Sequence, residues 1–198
     1  MNDYSQNGEQ AVILNALRDK LDMGGVGRFL DIGAWDPEQF SNTRALVELG
    51  WSGVFIEPSP APLLNLIKAY GSDPRYVVIG AAVGLESRLV KLHVSDDAVT
   101  TGSEVEYERW KDAAKFHGTM MAPAITPEQI FGQFGGFDFV NIDAEGVSAD
   151  LFLHMLAMGV YPPCCCVEHD SRTTELMTAA SALDYSAKVV GANLIVWR

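Results

Sequence analysis

The stretch RFLDIGAWD at residues 28–36 decides the fold class, because it is a short apolar run that ends in a glycine turn. A helical pattern follows at residues 42–50, and Gly50 supplies its stop signal. The same alternation of apolar run and helix continues through GVFIE (53–57), PAPLLNLIKAYG (60–71) and RYVVIG (75–80). Such an alternation is typical of a parallel sheet that helices cover on both faces.

The second half of the chain repeats this alternation and then adds a hairpin. Its apolar runs and helical patterns are FDFVNID (137–143), SADLFLHMLAMG (148–159), CCCVE (164–168) and SRTTELMTAASAL (171–183). YSAKVV (185–190) and NLIVWR (193–198) follow, and the short turn between them predicts an antiparallel pair. We therefore predict an α/β fold: a Rossmann-like, doubly wound, mostly parallel sheet of about seven strands with a C-terminal antiparallel strand and helices on both faces.

The length of 198 residues suits one domain, which we expect to span residues 1–198. Residues 1–24 are predicted to form an N-terminal helical segment. RLVKLHV (88–94) alternates enough to be an extra strand. Residues 95–125 are polar, and the pattern assigns them no firm structure beyond a helix at 104–116. We expect 95–125 to be an insertion on the substrate side, since insertions on such scaffolds often carry substrate contacts.

Composition excludes several classes of protein. With 26 acidic and 14 basic side chains, the net charge is −12, which disfavours a nucleic-acid partner and an anionic membrane surface. No apolar run is long enough to span a membrane, and the N-terminus lacks the pattern of a signal peptide, so we expect a cytoplasmic protein. The consecutive Cys164, Cys165 and Cys166 would alternate between the faces of one strand, which predicts buried free thiols rather than disulfides.

Acidic side chains gather where the predicted strands end. In open α/β sheets, ligands bind beyond the carboxyl ends of the strands. Five such ends supply at least six carboxylates, among them Asp31, Glu57, Asp143, Glu145 and Glu168.

The first two strand ends indicate which ligand this edge takes. Glu57 lies 24 residues after Gly33, at the end of the next strand, where an acid can accept both hydroxyls of a nucleoside ribose. Trp35 replaces the glycine that would let a pyrophosphate approach the backbone, and Asp36 would repel phosphate. These residues disfavour a dinucleotide oxidoreductase. They fit a cationic nucleoside without phosphates, a description that S-adenosylmethionine meets.

Four segments taken together resemble a known family: FLDIGAWDPEQFSNT, GWSGVFIEPSP, VVIGAAVG and DFVNIDAEG. They are similar to the FkbM-type methyltransferases, a branch of the class I S-adenosylmethionine-dependent enzymes. The N-terminal YSQNGEQ resembles the start of one subgroup. Asn141 stands where the family usually has Lys, and Asp36-Pro37 stands where many members have another small residue and Gly.

The resemblance implies a role for each matching residue. The implied cofactor contacts are Asp31, Gly33 and Ala34 along the methionine part, Glu57 on the ribose, Ala82 beside the adenine, and Ser41 and Asn42 at a helix N-terminus near the methionine carboxylate. Asp143 and Glu145 would face the transferred methyl group and its acceptor, with Asp143 also contacting the cofactor.

Methyl transfer to a hydroxyl needs a group that takes the proton, and three side chains at adjacent strand ends are candidates: Asp143, Glu145 and His169. Asp143 with Glu168, His169 or Asp170 also resembles the metal placement of catechol-type O-methyltransferases. We do not favour a divalent cation, because acids at strand ends are common without one.

The predicted function is S-adenosylmethionine-dependent O-methylation of a polar small molecule or a glycan. The alternative is a non-catalytic module that binds S-adenosylmethionine or another nucleoside. The sequence leaves the acceptor and the oligomeric state undetermined.

Overall fold

The computed structural model describes residues 2–95 and 98–198. The strands are β1 (Arg28–Ile32), β2 (Ser52–Ile56), β3 (Tyr76–Ile79), β4 (Ala82–Val83), β5 (Arg88–Ser95), β6 (Phe116–Ile125), β7 (Phe139–Ile142), β8 (Cys164–Glu168), β9 (Ser186–Val190) and β10 (Asn193–Trp197). The helices are α1 (Glu9–Ala16), α2 (Arg18–Asp22), α3 (Arg44–Glu48), α4 (Pro60–Tyr70), α5 (Glu104–Trp110), α6 (Pro127–Phe134), α7 (Ser148–Ala157) and α8 (Thr173–Ser181). Among the described residues, none of these helices has the length and apolar character needed to cross a bilayer.

Seven of the strands form one sheet in the order β3-β2-β1-β7-β8-β10-β9. The pairs β1–β2, β2–β3, β1–β7 and β7–β8 are parallel, whereas β10 runs antiparallel to both β8 and β9. This order confirms the predicted Rossmann-like sheet and its antiparallel C-terminal strand. After β3 the chain returns to the centre of the sheet at β7, so strand order reverses between β1 and β7. Ligands of open α/β sheets bind at such a reversal.

Each face of the sheet packs against its own layer of helices. Phe29 belongs to the core formed with α1, α3 and α4, whereas its neighbour Leu30 belongs to the core formed with α6, α7 and α8. Cys164 and Cys166 join the first core and Cys165 the second, and all three are buried free thiols. The predicted alternation of these cysteines is therefore confirmed, and so are the helices on both faces.

A second sheet of three strands, in the order β4-β6-β5, corrects the analysis of residues 95–125. The helix expected at 104–116 ends at Trp110, and β6 then pairs antiparallel with β5 along nearly its whole length. Ala122 and Ala124 are buried while Met121 is exposed, which is the period of a strand. These small residues beside glycine and proline concealed the alternation from an analysis based on large apolar side chains.

Candidate active site

A cavity of about 1010 Å³ lies at the carboxyl ends of β1, β2, β7 and β8. Its opposite wall comes from β5, residues 98–103 and the C-terminal end of α5. The cavity brings together nine of the ten residues predicted for the site: Asp31, Gly33, Ala34, Ser41, Asn42, Glu57, Ala82, Asp143 and Glu145.

The turn after β1 fits closely against the chain that leaves β7. Gly33 has φ +77°, and a Cβ atom added there would lie 1.7 Å from the carbonyl oxygen of Asp143. The N–H groups of Gly33 and Ala34 both donate to the carbonyl of Ile56, at 2.9 and 3.2 Å. Only glycine satisfies both the left-handed conformation and the close approach. The turn therefore joins the ends of β1, β2 and β7 into one edge of the cavity.

Glu57 is a buried carboxylate held by the backbone at the end of β2. Its Oε2 accepts from the N–H of Trp35 at 3.0 Å, and its Oε1 accepts from the N–H of Ser59 at 2.7 Å. Burial raises the pKa of Glu57, and the two backbone hydrogen bonds oppose that rise. Each carboxylate oxygen keeps a further lone pair, so the group can also accept from two adjacent hydroxyls.

Asp31 lies at the centre of a buried polar network beneath the same edge. Its Oδ2 accepts from the hydroxyl of Thr43, and its Oδ1 accepts from Nδ2 of Asn141 at 2.9 Å. Oδ1 of Asn141 accepts in turn from Nδ2 of Asn42 at 3.0 Å. Burial raises the pKa of Asp31 to about 6, although both hydrogen bonds favour its charged form. Asp31 therefore fixes the loop that follows β1, whatever ligand it contacts.

Ser41 and Asn42 line the cavity but precede the helix that they were expected to begin. Helix α3 starts at Arg44, with Thr43 at its N-cap. The hydroxyl of Ser41 accepts from the N–H of Arg44 at 3.1 Å, so it satisfies the first N–H of α3 from outside the helix. Nδ2 of Asn42 donates to Oδ1 of Asn141 and so joins the network around Asp31.

Three carboxyl groups lie together at the ends of β7 and β8. Asp143, Glu145 and Glu168 each offer an oxygen, and these oxygens all lie within 4.8 Å of one another. Burial, followed by the charges of neighbouring acids, raises the pKa of Asp143 to about 7, of Glu145 to about 8 and of Glu168 to about 9. The cluster can exchange protons near neutral pH, and its oxygens are ligands that a divalent cation accepts.

His169 is the predicted site residue that does not line this cavity. It lines a smaller cavity of about 360 Å³ next to the first, where its Nδ1 accepts from the N–H of Ser171 at 3.1 Å. Glu168 lines both cavities. Glu168, rather than His169, therefore lies beside Asp143 in the larger cavity. A catalytic role for His169 stays a prediction.

Backbone strain concentrates around the two cavities. Within residues 2–95 and 98–198, six residues other than glycine have a positive φ. Five of them line one cavity or the other: Trp35, Phe40, Glu145, Asp170 and Ser171. Such conformations persist where the surrounding structure enforces them, which is common at functional sites.

Three further lining residues were not predicted to bind the cofactor or to act as a base, and of these only Glu168 was named at all, among the edge carboxylates and in the metal placement that was not favoured. Glu168 ends a parallel strand like Asp143, so the pattern that found Asp143 also pointed to it. Asn193 is the first residue of β10, which runs antiparallel to β8, so it lies opposite Glu168, the last residue of β8. The start of β10 is therefore at the same edge of the sheet as the end of β8. Glu9 comes from the N-terminal segment, whose only signal was the resemblance at YSQNGEQ.

Solved structures share this fold at low sequence identity. The methyltransferase FkbM from Methylobacillus flagellatus superimposes with a TM-score of 0.55 and 13% identity, over 87% of this chain and 44% of that one. The SAH-bound methyltransferase PaMTH1 from Podospora anserina superimposes with a TM-score of 0.51 and 13% identity, over 98% and 80% of the two chains. No protein-family model matches the sequence, and neither does any curated protein.

The fold is that of an FkbM-type methyltransferase. The present chain spans less than half of the length of the Methylobacillus flagellatus protein. At the position where the resemblance to that family expects lysine, Asn141 forms an uncharged bridge between Asp31 and Asn42. The buried Asp31 therefore has no cationic partner in the described part of the chain.

Proposed function

We propose that the protein is an S-adenosylmethionine-dependent methyltransferase that transfers a methyl group to a hydroxyl of a polar small molecule or glycan. The observation that carries this proposal is that the buried Glu57 and the Gly33 turn open onto the same cavity as the carboxyl cluster. One part of that cavity can hold a nucleoside, and the other can exchange a proton.

The donor set of the cavity fits S-adenosylmethionine better than a phosphate-bearing cofactor. Arg88, Lys91 and Arg109 are the lysine and arginine side chains that line it among the described residues. Each is already paired with a glutamate, at 3.6, 3.1 and 3.2 Å. Every described basic side chain that lines the cavity thus already has an acidic partner, whereas the carboxylates suit a cationic ligand with ribose hydroxyls.

Methyl transfer joins an acceptor oxygen to a methyl carbon that the cofactor supplies in electrophilic form. The protein must align the two and receive the proton of the hydroxyl. We assign the proton to Asp143, because its pKa of about 7 lets it be a base near neutral pH and because it adjoins the Gly33 turn. Glu145 and Glu168 lie within reach to pass that proton onward.

The opposite wall of the cavity supplies groups for a polar acceptor. Residues 98–103 line it together with Arg109 and Trp110, all within the segment expected to contact substrate. The indole N–H of Trp110 is buried and has no hydrogen-bond partner among the described residues. We propose that it donates to an oxygen of the acceptor. The volume of about 1010 Å³ is at the upper end for ligand cavities and leaves room for cofactor and acceptor together.

Calorimetry with S-adenosylmethionine, S-adenosylhomocysteine and NAD tests the cofactor. We expect the first two to bind and NAD not to bind, and the reverse result would contradict the proposal. A labelled methyl donor offered with sugars and hydroxylated small molecules then tests transfer. Binding without transfer to any acceptor, together with an Asp143→Asn variant that behaves like the wild type, would favour the non-catalytic alternative.

A further inference from the structure

The N-terminal segment places a buried anion in the wall of the cavity. Glu9 has no exposed surface, and it accepts from the N–H of Asn7 at 2.7 Å and from Nδ2 of Asn7 and of Asn193, both at 3.0 Å. Burial raises its pKa, but these hydrogen bonds prevail and leave the pKa below its usual value. Glu9 is therefore charged, yet no lysine, arginine or histidine of the described residues forms an ion pair with it.

Two amide oxygens in the same cavity wall have no hydrogen-bond partner within residues 2–95 and 98–198. They are Oδ1 of Asn42 and Oδ1 of Asn193, and the two side chains are more than nine-tenths buried. Their orientations are fixed, because Nδ2 of Asn42 donates to Asn141 and Nδ2 of Asn193 donates to Glu9. A buried acceptor without a donor is unfavourable, so both oxygens indicate a ligand that donates hydrogen bonds.

The fold brings these three residues to one place. Helix α1, which begins at Glu9, packs on β8 and β10. Asn193 is the first residue of β10, and Nδ2 of Asn42 lies 3.6 Å from the sulfur of Cys166 on β8. A carboxylate and two amide oxygens therefore line the cavity beside the network around Asp31. These three groups only accept hydrogen bonds, and together they carry one negative charge. A ligand that matches them is a cation with several N–H donors.

We propose that Glu9, Asn42 and Asn193 form a binding site for a primary ammonium group. A primary ammonium has one positive charge and three N–H donors, which matches one carboxylate and two amide oxygens. Given the proposed function, the ligand is the α-ammonium of the methionine part of S-adenosylmethionine. The N-terminal segment is then a wall of the cofactor site. An amine on the acceptor has the same chemistry, and the test below separates the two sources.

The test compares S-adenosylhomocysteine with its deamino analogue, in which hydrogen replaces the ammonium group. Calorimetry without any acceptor present confines the comparison to the ammonium of the cofactor. We expect the wild type to bind S-adenosylhomocysteine about tenfold or more tightly than the analogue, because hydrogen bonds between charged groups are strong. In Glu9→Gln and Asn193→Ala the preference should fall to about threefold or less, with little change in affinity for the analogue.

Asn7→Ala is the matched control, because it removes one hydrogen bond to Glu9 but keeps the charge, and Asn7 does not line the cavity. We expect this variant to keep most of the wild-type preference. If Glu9→Gln does not fold, Asn193→Ala decides the question. A wild type without preference for the ammonium, an unchanged preference in the site variants, or an equal loss in Asn7→Ala would overturn the proposal. A wild type that binds no S-adenosylhomocysteine would instead overturn the proposed function.

Discussion

The carboxylates in the two halves of the cavity differ in their surroundings. Asp31 and Glu57, at the ends of β1 and β2, have oxygens that accept hydrogen bonds from the chain itself. Asp143, Glu145 and Glu168, at the ends of β7 and β8, offer oxygens that lie within 4.8 Å of one another. After burial, the charge of Asp143 raises the pKa values of Glu145 and Glu168, whereas the charges of Asp31 and Asp170 raise that of Asp143. The first half is preorganised to hold a ligand. The second half holds charge that a proton or ligand must balance, as expected where chemistry takes place.

The largest effect is expected where the two halves meet. Gly33→Ala places a Cβ atom 1.7 Å from the backbone of Asp143 at a φ of +77°. We expect a loss of about 3–5 kcal/mol in the free energy of unfolding, because neither backbone can move without breaking its hydrogen bonds. Chemical denaturation measures this loss, and calorimetry should detect no cofactor binding.

Gly132→Ala is the control for that variant. Gly132 lies inside α6 with no atom within 4 Å of the added Cβ. The substitution should stabilise the protein by about 0.5–1 kcal/mol, since alanine is the better helix former. If the two alanine variants were equally stable, the close junction between the halves would be wrong.

The next largest effect separates the halves by function. Asp143→Asn keeps the shape of the side chain but cannot take a proton. We expect the turnover number to fall by about 10²–10⁴-fold, while the affinity for S-adenosylhomocysteine changes by about threefold or less. Steady-state kinetics and calorimetry measure the two quantities. Equal losses in both would assign Asp143 to the cofactor half.

The sequence was sufficient for the main sheet because local signals and packing agree there. Strands such as β1 and β8 are apolar on both faces, and glycine ends several of the helices. The hydrophobic pattern and the helix-terminating glycines therefore predict the same elements. β5 was predicted as an extra strand over 88–94, but β6 escaped prediction because its buried positions are alanines, which carry little hydrophobic signal. Pairing with β5 rather than local preference makes residues 116–125 a strand.

The site could be predicted where residues follow a parallel strand, and less well elsewhere. Parallel strands end at one edge, so Asp31, Glu57 and Asp143 were placed together by topology alone. His169 was favoured because imidazole is a common general base, but successive side chains along a strand point in opposite directions, and His169 lines the neighbouring cavity. Glu9 reaches the cavity through a tertiary fold of the N-terminal segment, which no period or spacing encodes.

A moderate effect is expected in the cofactor half. Glu57→Ala should weaken binding of S-adenosylhomocysteine by about 1–3 kcal/mol, because charged hydrogen bonds to the ribose hydroxyls are lost. The deamino analogue should lose affinity equally, since it keeps the ribose. Turnover at saturating cofactor should change little. An unchanged affinity would contradict the ribose role of Glu57. A loss confined to turnover would contradict the division of the cavity into a cofactor half and an acceptor half.

A smaller effect concerns stability and pH in the acceptor half. The pKa values of Asp143, Glu145 and Glu168 are raised in the folded protein, so the folded state holds these protons more tightly than the unfolded state. Their contribution to stability is complete below pH ~4 and is lost as the pH rises through about 7 to 9. Glu168→Gln removes one like charge and should raise the free energy of unfolding by about 1–2 kcal/mol at pH 9, and by much less at pH 6. Equal gains at both pH values would contradict the mutual repulsion.

The smallest effect is expected from removal of divalent cations. Asp143, Glu145 and Glu168 have the spacing of a cation site, but at pH 7 their pKa values of about 7, 8 and 9 leave most of the cluster protonated. A cation would have to displace these protons before it could bind, because metal ligands must be deprotonated. We therefore expect a chelator to leave turnover at pH 7 unchanged, as measured with the labelled methyl donor. Loss of activity that magnesium restores would show that a cation, rather than shared protons, balances the charge of the acceptor half. In that case Asp143 would orient the acceptor through the metal instead of accepting its proton.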